Sequence, residues 1–196
     1  ILGTTYMALS TDVTRGLLGE PGFPYTLLLN RSADFAAYAA ALSATYEKEA
    51  RNVQFALALI QMLWDRIEPD GYAPYINGTD LLPNTPSHEV LIHAAIGDWQ
   101  VTTLGAHILA RTVGATNLKP VNRSIFMVPE AEGPIEGSAI VEYDFGLTEP
   151  VKNVPPSDGE DPHDKVRSLM VSYTQSDEFF RTGVVNAACD GPCDPE

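Results

Sequence analysis

A short apolar run, followed at once by a tight turn and a helix, constrains the fold of this chain more than any other feature. Residues 89–96 are nearly all apolar, which is typical of a strand buried on both faces of a parallel sheet. Gly97 provides a turn, and apolar residues recur at helical spacing over residues 101–113 until Gly114 predicts the helix end. The pattern therefore predicts a strand, a turn and a helix of an α/β fold.

Asp98 lies at the tip of this turn, directly after the predicted strand. Open α/β sheets bind their ligands beyond the carboxyl ends of the strands, which makes a carboxylate at this position a candidate functional group. Aspartate is also a common cap at the start of a helix. The stretch by itself supports the two interpretations of Asp98 equally.

Length and charge restrict the classes of protein to consider. The chain has 196 residues, of which 44% are hydrophobic, and this is ordinary for a soluble globular protein. Its 12 basic and 26 acidic residues give a net charge of −14, which argues against a nucleic acid or an anionic membrane as partner. No apolar run is long enough for a membrane span. The start at Ile1 lacks an initiator methionine and a basic signal flank, so we expect a processed or truncated chain.

The only two cysteines, Cys189 and Cys193, bracket Asp-Gly-Pro near the C-terminus. Two thiolates are too few for a closed zinc site, whereas the glycine and proline between them favour a turn that brings the cysteines together. We predict a disulfide, with two free thiols as the alternative. A disulfide would indicate an oxidising compartment, and hence a secreted, periplasmic or cell-surface protein.

The first half of the chain is predicted to be mainly helical. Residues 1–10 predict a short helix and residues 12–19 a short strand. Residues 25–67 predict two apolar helices, of which the second, over residues 47–67, has so little polar face that we expect it to be largely buried. We interpret residues 25–67 as a helical cap inserted in a single domain that spans residues 1–196.

The second half predicts one more strand and a terminal helix. Residues 116–134 have no regular pattern, and residues 137–145 alternate as in a half-buried strand. A long polar loop over residues 148–162 leads to His163, and an amphipathic helix follows from Val166 to Phe180.

Asp98 and His163 each follow a predicted strand, and one helix separates the two strands. This is the order of the last two members of the α/β-hydrolase triad, in which serine comes first. The chain contains no Gly-x-Ser-x-Gly. His163 could instead bind a metal with the acidic loop residues Asp158, Glu160 and Asp161, but a solvated acidic loop is the better interpretation. We therefore expect no metal and no cofactor.

Three segments carry a resemblance to a known family: Gly-Asp-Trp-Gln-Val after the strand, Pro-His-Asp-Lys-Val-Arg before the last helix, and the closing FFRTGVVNAACDGPC. Together they resemble the C-terminal half of secreted bacterial lipase- or esterase-like α/β hydrolases. The opening ILGTTYMALSTDVTRGLLGEPG is similar to the segment that follows the nucleophile elbow in those proteins. The resemblance covers most of the chain, and only the combination of these short motifs is specific.

The resemblance implies a fold and a mechanism. The chain would be the C-terminal part of an α/β-hydrolase fold, with a parallel sheet edge, flanking helices and the helical cap insertion. Asp98 would orient His163, and His163 would accept the proton of a serine just before Ile1. The oxyanion hole would also precede Ile1. The implied partners are the preceding N-terminal segment or chain and a hydrophobic ester substrate.

The remaining histidines are assigned structural positions. We predict that His93 is a core residue within its strand, and that His88 and His107 lie on the surface or on a helix face. The alternative function is a non-catalytic binding or assembly module that kept the hydrolase scaffold. A nucleotide-binding α/β domain is disfavoured because the chain has no glycine-rich phosphate loop between a strand and a helix.

Two geometric predictions follow from the hydrolase layout. The strands near residues 13–18, 90–96 and 139–143 should form one edge of a parallel sheet whose other strands belong to a preceding segment. Asp98 and His163 should lie within hydrogen-bond distance, about 2.6–3.2 Å.

Overall fold

The computed structural model describes residues 1–195 and has a five-stranded parallel sheet flanked by helices. An α/β fold is therefore confirmed. The helices are α1 (Leu2–Leu9), α2 (Tyr25–Arg31), α3 (Ala36–Thr45), α4 (Ala50–Trp64), α5 (Thr103–Thr112) and α6 (Met170–Thr182). The strands are β1 (Arg15–Gly19), β2 (Glu89–Ala95), β3 (Thr116–Lys119), β4 (Glu130–Glu132), β5 (Ile135–Glu136), β6 (Ala139–Tyr143) and β7 (Val184–Val185).

The sheet has the strand order β1-β2-β6-β3-β4, and β5 and β7 form a separate antiparallel pair. The three strands that the sequence predicted are neighbours in this sheet, with Leu17 opposite Leu91 and Leu91 opposite Ala139. Among residues 1–195, β1 pairs only with β2 and so lies at one edge. The prediction that the other strands belong to a preceding segment is wrong for β3 and β4, which extend the sheet beyond β6 and belong to this chain. That further strands lie beyond β1 stays a prediction.

The central strand β2 explains why its sequence is apolar without alternation. Ile92 belongs to the hydrophobic core on the face covered by α1 and α5, whereas Leu91 belongs to the core on the face covered by α6. Both side chains are completely buried, and each such burial stabilises the fold by about 1.5–3 kcal/mol. A strand with helices on both faces needs apolar residues at consecutive positions.

The prediction that residues 116–134 are irregular is wrong, because β3 and β4 lie within this range. β3 has the sequence Thr-Asn-Leu-Lys, in which only Thr116 belongs to the residue types that favour strands. These residues are held extended by pairing with β6 and β4. Tertiary pairing therefore overrides a weak local preference here.

The strand predicted at residues 137–145 is present as β6, but the prediction that it is half-buried is wrong. All five residues of β6 are buried, including the charged Glu142, which is only 5% exposed. Its carboxylate accepts hydrogen bonds from Arg123 and contacts the His107 ring. The sequence predicted half-burial because the strand contains acidic residues. Glu142 can nevertheless be buried, because Arg123 and His107, which are distant along the chain, pair with its carboxylate.

The prediction that the second helix of the 25–67 segment is largely buried is wrong as well. Only Val53, Ala56 and Leu57 of α4 are buried, while Phe55 and Met62 are each 67% exposed. Val53 and Leu57 of α4 pack against Leu29 of α2, with residues of α3 at the margin. Most other residues of α4 are exposed or only partly buried.

Cys189 and Cys193 form a disulfide, with their Cα atoms 5.4 Å apart. No free cysteine occurs among the described residues. Within the same part of the chain, no helix has the length and apolar character needed to cross a membrane.

We expect thiol titration of the unreduced, denatured protein to detect no free thiol, because both cysteines are bonded to each other. After reduction the same titration should detect both thiols. Detection of both before reduction would contradict the disulfide.

Candidate active site

Asp98 is positioned by the turn that ends β2. Gly97 has a φ of +83°, and a side chain there would bring its Cβ within 2.7 Å of the Cβ of Leu147. Both the backbone conformation and the close contact favour glycine. The turn thereby holds Asp98 at the carboxyl end of the central strand, where it is only 1% exposed.

Hydrogen bonds show which groups the Asp98 carboxylate contacts. Its Oδ1 accepts the backbone N–H of Gln100 at 2.7 Å and of Val101 at 2.8 Å, which fixes the turn. Its Oδ2 lies 2.8 Å from Nδ1 of His163. The cap of α5 is Thr102, whose side chain accepts the N–H of Leu104. Asp98 therefore orients an imidazole and is not the helix cap.

His163 lies in the long loop before α6, and Asp161 ties this loop to the Asp98 turn. The Asp161 carboxylate accepts the backbone N–H of His163 and of Trp99, each at 3.1 Å, and the side-chain amide of Gln100 at 2.9 Å. The acidic loop thus supplies one structural carboxylate. The two loops meet because Asp161 satisfies groups from both.

The alternative metal site at His163 is not assembled. Asp158 and Glu160 are exposed, and Glu160 pairs with Lys165 at 3.4 Å. Within residues 1–195, the acidic, histidine and cysteine groups close enough to share a metal are Asp65, Glu68 and Asp70, which follow α4 and do not include His163.

The environment of His163 favours the protonated ring. Burial lowers the pKa of His163, but the hydrogen bond and the charge of Asp98 raise it, and Glu20 and Asp161 add to the rise, so that the net pKa lies above its ordinary value. Nε2 has no hydrogen-bond partner among the described residues, and the side chain is 17% exposed. With Nδ1–H donated to Asp98, Nε2 is free to accept a proton.

Sequence reasoning missed Glu20, which directly follows β1 and is only 5% exposed. Burial raises its pKa to about 7; the charge of His163 lowers it and that of Asp98 raises it. The available signal was an acidic residue immediately after a strand, the same criterion that selected Asp98. It went unused because Glu-Pro-Gly predicts an ordinary turn.

The other histidines have structural partners. His93 is buried as predicted, where its ring contacts Gln175 and Ser172, and burial lowers its pKa to about 4. Because Ser172 is itself buried, this serine–histidine contact is closed to substrate. The surface assignment of His88 is wrong: it is 1% exposed and contacts two backbone carbonyl groups. His107 lies on the face of α5 and reaches the carboxylate of Glu142.

The chain matches no protein-family model, no curated protein and no solved structure.

Proposed function

We propose that this chain supplies the acid and the base of a serine ester hydrolase of the lipase or esterase type, with Asp98 and His163 as its catalytic residues. The observation that carries the proposal is the hydrogen bond of 2.8 Å between Asp98 Oδ2 and His163 Nδ1, at the carboxyl edge of a parallel sheet. The serine would come from a segment that precedes Ile1.

The hydrogen bonds assign a role to each atom. Asp98 accepts the Nδ1 proton of His163, which leaves the lone pair on Nε2. The serine hydroxyl transfers its proton to Nε2 while its oxygen attacks the ester carbonyl carbon, and Asp98 stabilises the imidazolium that forms. Nε2 then returns this proton to the leaving alcohol oxygen as the ester carbon–oxygen bond breaks, which leaves the acyl group on the serine. Water, giving a proton to Nε2, attacks the acyl carbon, and Nε2 returns the proton to the serine oxygen as the acyl–serine bond breaks, which releases the carboxylic acid.

The position of α1 supports a nucleophile before this helix. The α-amino group of Ile1 interacts with the charge of Glu20, and Glu20 in turn interacts with the charge of His163. The N-terminal end of α1 therefore shares the electrostatic environment of Glu20 with the Asp98–His163 pair. A serine in a segment that precedes Ile1 would enter this environment.

The 25–67 segment supports a hydrophobic substrate and its role as a cap. Arg31 of α2 donates a hydrogen bond to the backbone oxygen of Asp98 at 2.9 Å, and Ala33 donates to that of Trp99 at 2.8 Å. These bonds attach the segment beside the proposed site. In this proposal an acyl group contacts the exposed apolar side chains of α4, which are Phe55, Leu59, Met62 and Leu63. The disulfide is in keeping with a secreted, periplasmic or cell-surface protein.

A fluorophosphonate probe tests for the serine nucleophile in the full protein, including the segment before Ile1. We expect one serine in that segment to be phosphonylated, with the proton passing to His163 and fluoride leaving. Replacing His163 by Ala should slow the labelling by on the order of 10³-fold, because the base is lost. The matched control Asp158→Asn changes an exposed acid in the same loop and should label at the parent rate.

Failure to label the folded full protein would contradict the enzyme proposal. Labelling of a serine within this chain would contradict the assignment of the nucleophile to the preceding segment. In the first case the remaining candidate is a binding or assembly module on the same scaffold.

A further inference from the structure

A second carboxyl group lies at the same sheet edge as Asp98. Glu20 follows β1, Asp98 follows β2, and these two strands are parallel neighbours. The backbone N–H of Glu20 donates to the carbonyl of His93 at 2.8 Å, which continues the pairing of the strands up to Glu20. Both acidic residues therefore leave the sheet at its carboxyl edge.

Both the backbone and the side chain of Glu20 are in unfavourable states in this position. Its φ is +44°, a left-handed conformation that is uncommon for residues other than glycine, asparagine and aspartate. Its Oε1 is buried and has no hydrogen-bond partner in residues 1–195. Burial of a carboxyl oxygen without a partner is unfavourable, and strained, unsatisfied residues of this kind cluster at functional sites.

The charged groups around Glu20 come from several elements. They are His163 and Asp164 in the loop before α6, Arg167 in the short turn after that loop, Asp98 after β2, and the α-amino group of Ile1. Burial is the largest influence and raises the pKa of Glu20 to about 7, and the charge of His163 is the next largest and opposes this rise. In the other direction, the charge of Glu20 raises the pKa of His163.

We propose that Glu20 is a positioning residue of the His163 site: its carboxylate, acting beside Asp98, stabilises the imidazolium form of His163 without touching the reacting atoms. The role of Glu20 in catalysis rests on the proposed function, whereas the charge interaction between Glu20 and His163 does not. Because the two groups interact, they release their protons in coupled steps that belong to the pair.

NMR titration of the His163 imidazole tests the coupling directly in the full protein. In the parent, the ring resonances should show two inflections, one for each of the two coupled proton steps of the Glu20–His163 pair. In Glu20→Gln, which removes the charge and keeps the shape, a single inflection should remain at lower pH. Identical curves for the parent and Glu20→Gln would overturn the proposal. The matched control Glu89→Gln removes a carboxylate from the opposite end of β2 and should leave the His163 curve unchanged.

A reciprocal measurement keeps the proposal testable if Glu20→Gln does not fold. His163→Ala lies in a loop, and loss of the imidazolium charge should move the carboxyl titration of Glu20 to higher pH, since coupling between two sites is mutual. Selective ¹³C labelling of glutamate side chains would report this titration. An unchanged Glu20 titration in His163→Ala would overturn the proposal by itself.

The pH dependence of ester hydrolysis supplies the functional test. Glu20→Gln should move the acid limb of the kcat/KM profile to lower pH, and should lower its plateau on the order of tenfold, because the imidazolium is less stabilised in the transition state. A purely structural role would lower activity at all pH values without moving the limb. If the protein hydrolyses no ester, the proposed function fails, whereas the NMR titrations still decide the coupling of Glu20 and His163.

Discussion

Replacing Asp98 by Asn should lower kcat for ester hydrolysis by the full protein by about 10⁴-fold, the size of effect known for this change in serine proteases. The Asn carbonyl can still accept the N–H groups of Gln100 and Val101 that Asp98 Oδ1 binds, so the turn should persist. The side-chain NH₂ would then face Nδ1 of His163 in place of Oδ2. His163 would have to carry its proton on Nε2, which is the wrong tautomer for accepting the serine proton.

The companion variant His163→Ala should lower the rate on the order of 10³-fold or more and should leave the fold intact, because the residue lies in a loop. The parent rate should fall as the pH drops through the pKa of His163, since only the neutral ring accepts a proton. Asp98 raises that pKa above its usual value, so the fall should begin at higher pH than for an unperturbed histidine. His163→Ala should abolish this dependence.

Steady-state kinetics with a short-chain ester, measured across pH, checks both variants. Asp158→Asn serves again as the control, because it changes an exposed acid of the same loop. Near-parent rates for Asp98→Asn or His163→Ala would show that the hydrogen-bonded pair is not the catalytic one.

Replacing Arg123 by Met should lower the free energy of unfolding by about 3–5 kcal/mol, the cost of leaving a buried charge without its partner. Arg123 donates to both carboxylate oxygens of Glu142, at 2.9 and 2.7 Å, and to Glu149 at 2.6 Å. The Glu142 side chain is only 2% exposed. Without Arg123, the remaining side-chain partner of the Glu142 carboxylate is the His107 ring.

The loss of stability should depend on pH in a defined direction. Burial raises the pKa of Glu142, but the hydrogen bonds and charges of Arg123 and His107 lower it by more than this rise. The net pKa of Glu142 therefore lies below its ordinary value. Such a group contributes stability above the unfolded carboxyl pKa, and this is lost as pH falls through the folded pKa. In Arg123→Met the buried carboxylate should instead take up a proton readily. The difference between parent and variant should therefore be largest near neutral pH and shrink in acid.

Urea unfolding at two pH values measures this difference. The control Arg181→Met removes a fully exposed arginine paired with Asp177 on α6 and should leave the unfolding midpoint unchanged. The double variant Arg123→Met with Glu142→Gln should recover part of the stability, because no unpaired charge remains. A double variant as unstable as Arg123→Met alone would show that lost packing, rather than the unpaired carboxylate, is the cause.

The local patterns along the chain were sufficient to predict the elements that hold the candidate pair. The apolar run of β2, the glycine turn and the spacing of α5 are short-range features, and each appears in the structure where it was predicted. Asp98 and His163 could be paired because parallel strands bring their carboxyl ends to one edge. The disulfide was also predictable, since only four positions separate its cysteines.

What the sequence did not disclose depends on contacts between distant residues. β3 and β4 are extended because β6 pairs beside them, and Glu142 is buried because Arg123 and His107 reach it. The exposure of α4 follows from how few elements cover it, which hydrophobicity along one helix does not reveal.

The same distinction divides the site. The sequence by itself determined that an acid and a histidine each follow a predicted strand, because periodicity and turn residues act over a few positions. Only the tertiary structure decided that Asp161 joins their loops, that Nε2 is left free, and that a second carboxyl, Glu20, shares their electrostatic environment. These properties arise from burial and from charges brought together across the sheet, and burial and distance are quantities of the folded chain.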